Sequence, residues 1–420
     1  MDRRSFTVLG AATVLGVAAS PLLPRGLRAA DPLRIGLGMA QTGPLAANGK
    51  SALIAMDIWK DGVNAKGGLI GRPVEFVIYD DQSNPATVPG IYTKLLDVDK
   101  VDLVVSGYGT NVIAPAMPVI IQHNKTFLSL FGLAVNAQFH YPKYFTITPT
   151  GPDPTVSSTV GFFEVGAAQN PAPKTLAIVA ADAEYPRASA EGVRTNAKKF
   201  GWDIVYDKSY PPNTTDFSPI VRAVQATNPD AVFVASYPLD SVGMVRAANE
   251  VGLKTKLFGG GMVGLQTTSV KEQLGPLMNG IVNYDFWLPA KTMQFPGVLD
   301  FLKKYQAKAA NSGVDPLGYY LAPWAYTYMQ VLADTVEAVK GTDQDKMADY
   351  MRATTFKTVM GDIAFGEDGE LSVSHSLMVQ FQHVTGNGID QFNTGGQPVI
   401  LWPAKYKDGD ALYPYDSART

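Results

Sequence analysis

Short apolar runs rich in β-branched residues alternate along this chain with amphipathic stretches of helix length, and the alternation is stated twice. The first set of runs covers 33–39 (LRIGLGM), 74–80 (VEFVIYD), 101–106 (VDLVVS) and 125–130 (KTFLSL), with helical patterns at 51–64, 87–98 and 113–123 between them. Continuously apolar strands bounded by Gly, Asp or Asn and separated by helices belong to a parallel sheet covered on both faces.

The pattern then restarts. Strands are expected at 175–180 (TLAIVA), 203–206, 231–235 (AVFVA) and 256–259, with helices at 187–200, 217–227 and 241–251. Two units of similar length imply two α/β lobes, and PTGPDPT (149–155) between them has the composition of a crossing segment. After Ile281 no third unit begins. Helical patterns at 295–311, 317–340 and 344–353 precede runs at 361–365 and 377–382, with GEDG (366–369) expected to join those two as a hairpin. The simplest organisation returns this segment to the first lobe and leaves a closing strand or two for the second. The expected lobes are therefore 31–149 plus 283–377 and 150–282 plus 378–402, followed by a tail, 403–420, rich in Tyr and Pro.

The N-terminus carries an address. Arg3 and Arg4 precede Ser5 and Phe6, an apolar stretch at 7–19 and the small pair Ala29–Ala30, an order that resembles a twin-arginine export signal over residues 1–30. The stretch falls short of the roughly 20 residues that cross a bilayer, so it reads as removable. The chain contains no cysteine. An exported protein without cysteines has neither disulfides nor a site for a thioether-linked lipid, and free diffusion in the periplasm is expected. Loss of residues 1–30 removes four arginines against one aspartate and takes the formal charge from −3 to −6. That balance argues against nucleic acid as a partner.

Several motifs fall short of chemistry. GPLAANGKS (43–51) places five residues between Gly43 and Gly49, where a phosphate-binding loop has four. Gly36 and Gly38 begin a dinucleotide fingerprint, but Gln41 stands where its third glycine belongs. Asp80 and Asp81 are strand neighbours that point to opposite faces, and with Ser83, Asn84 and Pro85 they read as turn and cap chemistry rather than a catalytic pair. His123, His140, His375 and His383 show no metal-ligand spacing, and no nucleophile elbow occurs. No metal, cofactor or catalytic residue is expected.

What remains are the carboxyl ends of the strands, where open parallel sheets bind ligands. SGYGTN (106–111) follows a buried strand and opens a helix, so Tyr108, Thr110, Asn111 and the first helical amides can face an anion. Asn111 reads equally as a helix cap.

QTGPLAANG (41–49), DGVNAKGGLIGRPVEFVIYDDQSNP (61–85) and SGYGTNVIAPAMP (106–118) resemble the leucine/isoleucine/valine-type substrate-binding proteins of ABC importers. AIVAADAEYPRA (177–188), VRAANEVGLKTKLFG (245–259) and MGDIAFGEDGEL (360–371) continue the likeness in order along the mature chain. The resemblance implies a type I periplasmic binding protein fold, two doubly wound α/β lobes joined by three crossing segments, with a cleft that closes on a small ligand. It implies a permease in the inner membrane as partner, and a monomer. The family's carboxylate-holding hydroxyl matches Thr110, and its second such loop falls on Gly132, Leu133 and Ala134, which keep amides but no hydroxyl. Its second-lobe tyrosines match Tyr185 and Tyr237, and its aromatic residue from the returning segment falls at Tyr319 or Tyr320. The acid that grips an amino acid's ammonium belongs in FGGGMVG (258–264), which holds no acid, and Met262 is the ligand-binding candidate in that segment.

An ammonium buried without an opposite charge costs several kcal/mol. Either Asp182, Glu184, Asp240 or Asp285 supplies the carboxylate, or the ligand is an acid or amide with an apolar or aromatic body and no amine. Tyr284 and Trp287 are further aromatics near strand ends, open to a core role as much as to a binding one. Capture for an importer leads two rivals, a ligand-sensing input module and an exported hydrolase. Turnover of candidate substrates would mark the hydrolase, and ligand-induced stabilisation without turnover a binder.

Overall fold

The computed structural model describes residues 30–310, 312–393 and 397–419. The expected leader therefore lies, except for Ala30, outside the described residues. Strands β1 (Leu33–Met39), β2 (Val74–Asp80), β3 (Leu103–Tyr108), β4 (Phe127–Leu130) and β5 (Tyr144–Thr146) form a five-stranded sheet in the order β2-β1-β3-β4-β5. Every pairing in it is parallel. The connecting helices are α1 (Ala46–Asn64), α2 (Val88–Thr93), α3 (Thr110–Ile113), α4 (Met117–Gln122) and α5 (Asn136–Phe139). The 87–98 pattern is helical with mixed winding, since Lys94–Val98 continues α2 as a π-helix.

The second unit follows the same logic. Helices α6 (Pro154–Ala167), α7 (Glu184–Phe200), α8 (Ser218–Ala226), α9 (Pro238–Val251) and α10 (Thr268–Leu274) alternate with β6 (Thr175–Ala181), β7 (Asp203–Tyr210), β8 (Ala231–Ser236), β9 (Leu257–Met262) and β10 (Val282–Asp285). Helices α11 (Val298–Ala309), α12 (Ala322–Val339) and α13 (Gln344–Ala353) come next, and α11 and α12 pack on α1. The late strands are β11 (Phe356–Thr358), β12 (Gly361–Ile363), β13 (Leu377–Gln380) and β14 (Val399–Trp402), before a short α14 (Tyr415–Ala418). The second sheet has seven strands, β14-β13-β10-β9-β8-β6-β7, parallel except where β13 meets β10 and β14. Both β10, through Asp285, and β13, from Leu377, belong to it.

The expected hairpin between 361–365 and 377–382 does not form. β12 pairs with β11, while β13 inserts between β10 and β14. GEDG does turn tightly, with the Gly369 amide donating to the Gly366 carbonyl at 3.1 Å, but its arms meet only at the bridge Phe365–Leu371. Apolar runs announce strands; they carry no information on which strand is the partner.

The 317–340 pattern also starts late. Residues 317–321 stay outside α12, because Gly318 sits at φ +67° with its α-carbon against the Tyr305 ring, where any Cβ would overlap it. This non-helical lead-in carries Tyr319 and Tyr320.

The discounted motifs resolve into packing. Gly49 lies so close to the Ala40 carbonyl that a Cβ would overlap it, which is how α1 docks on the end of β1. Asp80 Oδ1 accepts from the amides of Gln41, Thr42 and Gln82 at 2.9, 3.2 and 2.9 Å, and Asp81 Oδ1 from that of Ser83 at 2.8 Å. The Asn84 side chain caps the Ala86 amide at 3.0 Å.

Candidate functional site

Strand β3 is buried throughout and ends at Tyr108. Gly109, at φ +100°, makes the turn that lets Thr110 open α3, a conformation that residues with a Cβ rarely adopt. Thr110 Oγ1 accepts from the Leu133 amide at 3.0 Å, and Ser106 Oγ from the Leu130 amide at 2.8 Å, so the loops after β3 and β4 are held as one wall. Phe131, directly after β4, sits at φ +65°. A bulky residue in the left-handed region stores strain of about 1–3 kcal/mol, and here it aims the phenyl ring into the cleft.

The facing wall comes from the second sheet. Tyr185 stands in the first turn of α7 and donates its phenol hydrogen to the Gly261 carbonyl at 3.0 Å. Tyr237 precedes α9, and Tyr284 and Phe286 leave β10 two residues apart, the spacing that puts strand side chains on one face. The glycines of FGGGMVG have a packing cause. Gly260, at φ +103°, lies under the Phe233 ring, and Gly261 is also in contact with it, so the ring reaches the cavity floor.

These groups enclose a cleft of about 50 Å³ measured to the centres of water-sized groups. One water needs roughly 10–15 Å³ by that measure, so the space takes a handful of non-hydrogen atoms without further opening. An unbroken aromatic chain crosses it. Tyr108 and Phe131 lie 5.9 Å apart between ring centroids, Phe131 and Phe286 5.1 Å, Phe286 and Tyr320 5.9 Å, Tyr284 and Tyr185 6.5 Å, Tyr185 and Tyr237 6.0 Å. The Tyr320 hydroxyl sits between those of Tyr108 at 3.2 Å and Tyr284 at 3.0 Å.

Among the described residues no charged side chain lines the cleft. Burial raises the phenols of Tyr108, Tyr185, Tyr237, Tyr284 and Tyr320 well above their usual value, so all five stay neutral donors at physiological pH. The four acids that could have held an ammonium are elsewhere. Asp182 pairs with Arg187 at 2.8 Å; with Glu184 and Asp240 it borders an outer groove that shares Tyr237 with the cleft. Asp285 is buried and pushed up to about 6, an effect that nearby Lys271 opposes. Arriving carboxylates would meet Thr110, phenols and amides; arriving ammoniums would meet no anion.

Of the residues picked from sequence, Tyr108, Thr110, Leu133, Tyr185 and Tyr237 line the cleft. Asn111 borders the outer groove, where its Oδ1 accepts from the Tyr185 amide at 3.4 Å. Gly132 does not line the cleft, and its α-carbon is pressed to the Tyr144 hydroxyl. Ala134 faces a surface hollow beside Asp368 and Glu370. Met262 is fully buried, its amide and carbonyl bonded to the Asn283 side chain at 3.0 and 2.9 Å. Tyr320, not Tyr319, reaches the cleft; Tyr319 packs on Trp287 at 6.0 Å, as chain neighbours diverge. Phe131, Phe286, Phe233 and a set of hydroxyls from Thr148 to Ser189 went unsingled in the sequence. Only Phe286 left a signal, its two-residue spacing from Tyr284.

A sequence profile described as periplasmic binding protein matches residues 32–385. The leucine-, isoleucine-, valine-, threonine- and alanine-binding protein of Pseudomonas aeruginosa is 25% identical over 344 residues, covering 82% of this chain and 88% of the relative. Among solved structures, the branched-chain amino acid transporter substrate-binding protein of Streptococcus pneumoniae, in complex with isoleucine, superposes with a TM-score of 0.72 at 19% identity, over 89% of this chain and all of the other (100%). A solute-binding protein of an ABC transporter from R. palustris, in complex with 4-hydroxybenzoate, gives 0.74 at 19% identity over 91% and 98%. The two-sheet architecture is that of type I periplasmic binding proteins.

Proposed function

Because this chain belongs to the periplasmic binding protein family, we propose that it captures a small carboxylate- or amide-bearing ligand with an apolar or aromatic body and delivers it to an ABC importer. The observation that carries the reading is the composition of the cleft: hydroxyls and aromatic rings from both sheets converge on it, and among the described residues no charged side chain does. The Thr110 hydroxyl and the amides at the start of α3 would receive the carboxylate or amide, and Tyr185 and Tyr237 would close from the other side. The lobes on this reading are residues 31–149 plus 286–376 and 150–285 plus 377–402, the expected bounds 282/283 and 377/378 moving because β10 and β13 lie whole in the second sheet. Ligand contact to both is what favours the closed state.

The same reading places a twin-arginine leader at 1–30, a monomer in the periplasm without a lipid anchor, and an inner-membrane permease as partner. It is capture rather than turnover. Calorimetric titration with leucine, 4-methylpentanoate, benzoate and benzamide tests it. Saturable one-to-one binding of at least one acid or amide, recovered unchanged, is the expected result; binding of none of them, or their conversion, would refute it.

A further inference from the structure

The cleft has a second polar side that an acid or amide held at Thr110 leaves unused. Thr148 and Thr150 from the crossing segment, Ser158 and Thr159 from α6 and Ser189 from α7 bring five hydroxyls to it. Three are engaged within the protein. The Thr148 hydroxyl bonds that of Thr146 at 2.7 Å, and those of Ser158 and Thr159 donate to the Thr155 carbonyl at 3.0 and 3.1 Å. Thr150 is different: the residue is 1% exposed and its fully buried Oγ1 has no partner. A buried hydroxyl left unmade costs roughly 1–3 kcal/mol, and such a group on a cavity wall calls for a reason.

Thr150 is also held in place. The Pro149 carbonyl accepts from the His375 amide at 2.9 Å and from Ser376 Oγ at 3.2 Å, which ties this crossing segment to the one leading into β13. Gly151 follows at φ +83°, its α-carbon against Ser374. The Thr150 backbone is therefore fixed on both sides, in a residue that lines the cleft. The Tyr237 phenol, buried and likewise without a partner, opens onto the same cleft.

We propose that Thr150 is a specificity-determining residue that reads a second, uncharged polar group on the ligand, a hydroxyl or amide carried across the apolar body from the acid. The inference rests on the capture reading above. A charged second group finds no counter-ion among the lining residues, whereas a hydroxyl, donor and acceptor at once, matches a threonine in either sense.

The test uses benzoate and 4-hydroxybenzoate with the mature chain and the variants Thr150→Val and Thr150→Ser. The parent should bind 4-hydroxybenzoate about tenfold more tightly than benzoate, the worth of one good hydrogen bond. Thr150→Val should erase that preference with benzoate binding within about threefold of the parent, and Thr150→Ser should keep it. Without ligand, Thr150→Val should melt at the parent temperature or ~1–2 °C above it, because it removes an unsatisfied group. A preference that survives Thr150→Val, equal binding of both acids by the parent, or a ligand-free melting point lowered by more than about 5 °C would each overturn the proposal. If neither acid binds the parent, aromatic acids are removed from the capture reading. In that case the proposal that Thr150 reads a polar group on such an acid is overturned as well.

Discussion

Asn111 and Tyr185 meet across the cleft: the Asn111 side-chain carbonyl, at the start of α3, accepts from the Tyr185 backbone amide, at the start of α7, at 3.4 Å. One helix belongs to the first sheet's layer and the other to the second's. The bond joins the two layers and can form only while they stand this close. Its cost or benefit is small, on the order of 1 kcal/mol. Asn111→Ala should therefore weaken ligand binding about threefold to tenfold without touching the lining of the cleft. Small-angle scattering on the same samples should show compaction with saturating ligand in the parent, and an unchanged profile would remove hinge closure from the account.

An amine on the ligand should lower affinity. Among the described residues no carboxylate lines the cleft, so an ammonium buried there is penalised, while an apolar group in its place gains about 25 cal/mol for each Å² removed from water. Titration with leucine and 4-methylpentanoate isolates that one group. Tighter binding of leucine, lost on Asp240→Asn or Asp182→Asn, would mean that closure brings an acid in from the outer groove.

Tyr320 and Tyr319 should separate cleanly. The Tyr320 hydroxyl links those of Tyr108 and Tyr284, one from each wall, while Tyr319 packs on Trp287. Tyr320→Phe should cost about tenfold in affinity, one to two neutral hydrogen bonds, with a small change in melting temperature. Tyr319→Phe should leave affinity within about twofold.

Gly260→Ala should unfold rather than retune. Its φ is +103°, and a Cβ there would overlap the Phe233 ring. Left-handed strain and overpacking together amount to about 2–4 kcal/mol, so a clear loss in urea midpoint is expected. Pairing it with Phe233→Leu should recover part of the stability and none of the affinity.

Asp81 gives the protein a pH signature. Burial pushes its carboxyl from 3.8 up to about 6, the Asp80 charge adds to the rise and the Ser83 amide opposes it. The folded state thus binds the proton more tightly than the unfolded one, and the stability this contributes is full below about 3.8 and lost as pH rises through about 6. Asp81→Asn keeps an acceptor for Ser83 and deletes the charge. It should raise the melting temperature at pH 7.5 by ~2 °C or more and leave it nearly unchanged at pH 4. His375, lowered to about 4 by burial, works with the opposite sign in this window, so the difference between variant and parent is the quantity to measure.

Periodicity and turn chemistry made much of the architecture readable in advance. The run LRIGLGM is buried from Leu33 to Met39 except for the half-buried Arg34, because a parallel strand is covered on both faces, and that burial is written in its composition. The turn at Asp81–Asn84 was legible for a similar reason, since short polar side chains bond the backbone two residues on and need no distant partner. Where Leu377–Gln380 would pair was not legible: it joins β10 and β14, and an antiparallel partner far away in sequence leaves no local mark.

The site divides along the same line. Thr110 could be named because it stands just past a strand end, a position that local pattern reveals, whereas Tyr185 and Tyr237 were named through the family resemblance; all three line the cleft. FGGGMVG told in sequence only that an acid was absent; the ring that fills the space, Phe233, comes from the neighbouring strand. Tyr320 faces the cleft and Tyr319 does not because Gly318 breaks the helix ahead of them against Tyr305, and the unpartnered Thr150 hydroxyl emerges only where two crossing segments and two helices converge. Sequence by itself determined what the backbone does within one element, since those forces act between near neighbours. Tertiary structure alone decided which side chains share the cleft and which polar atom is left without a partner, because both depend on groups that meet only after the chain has folded.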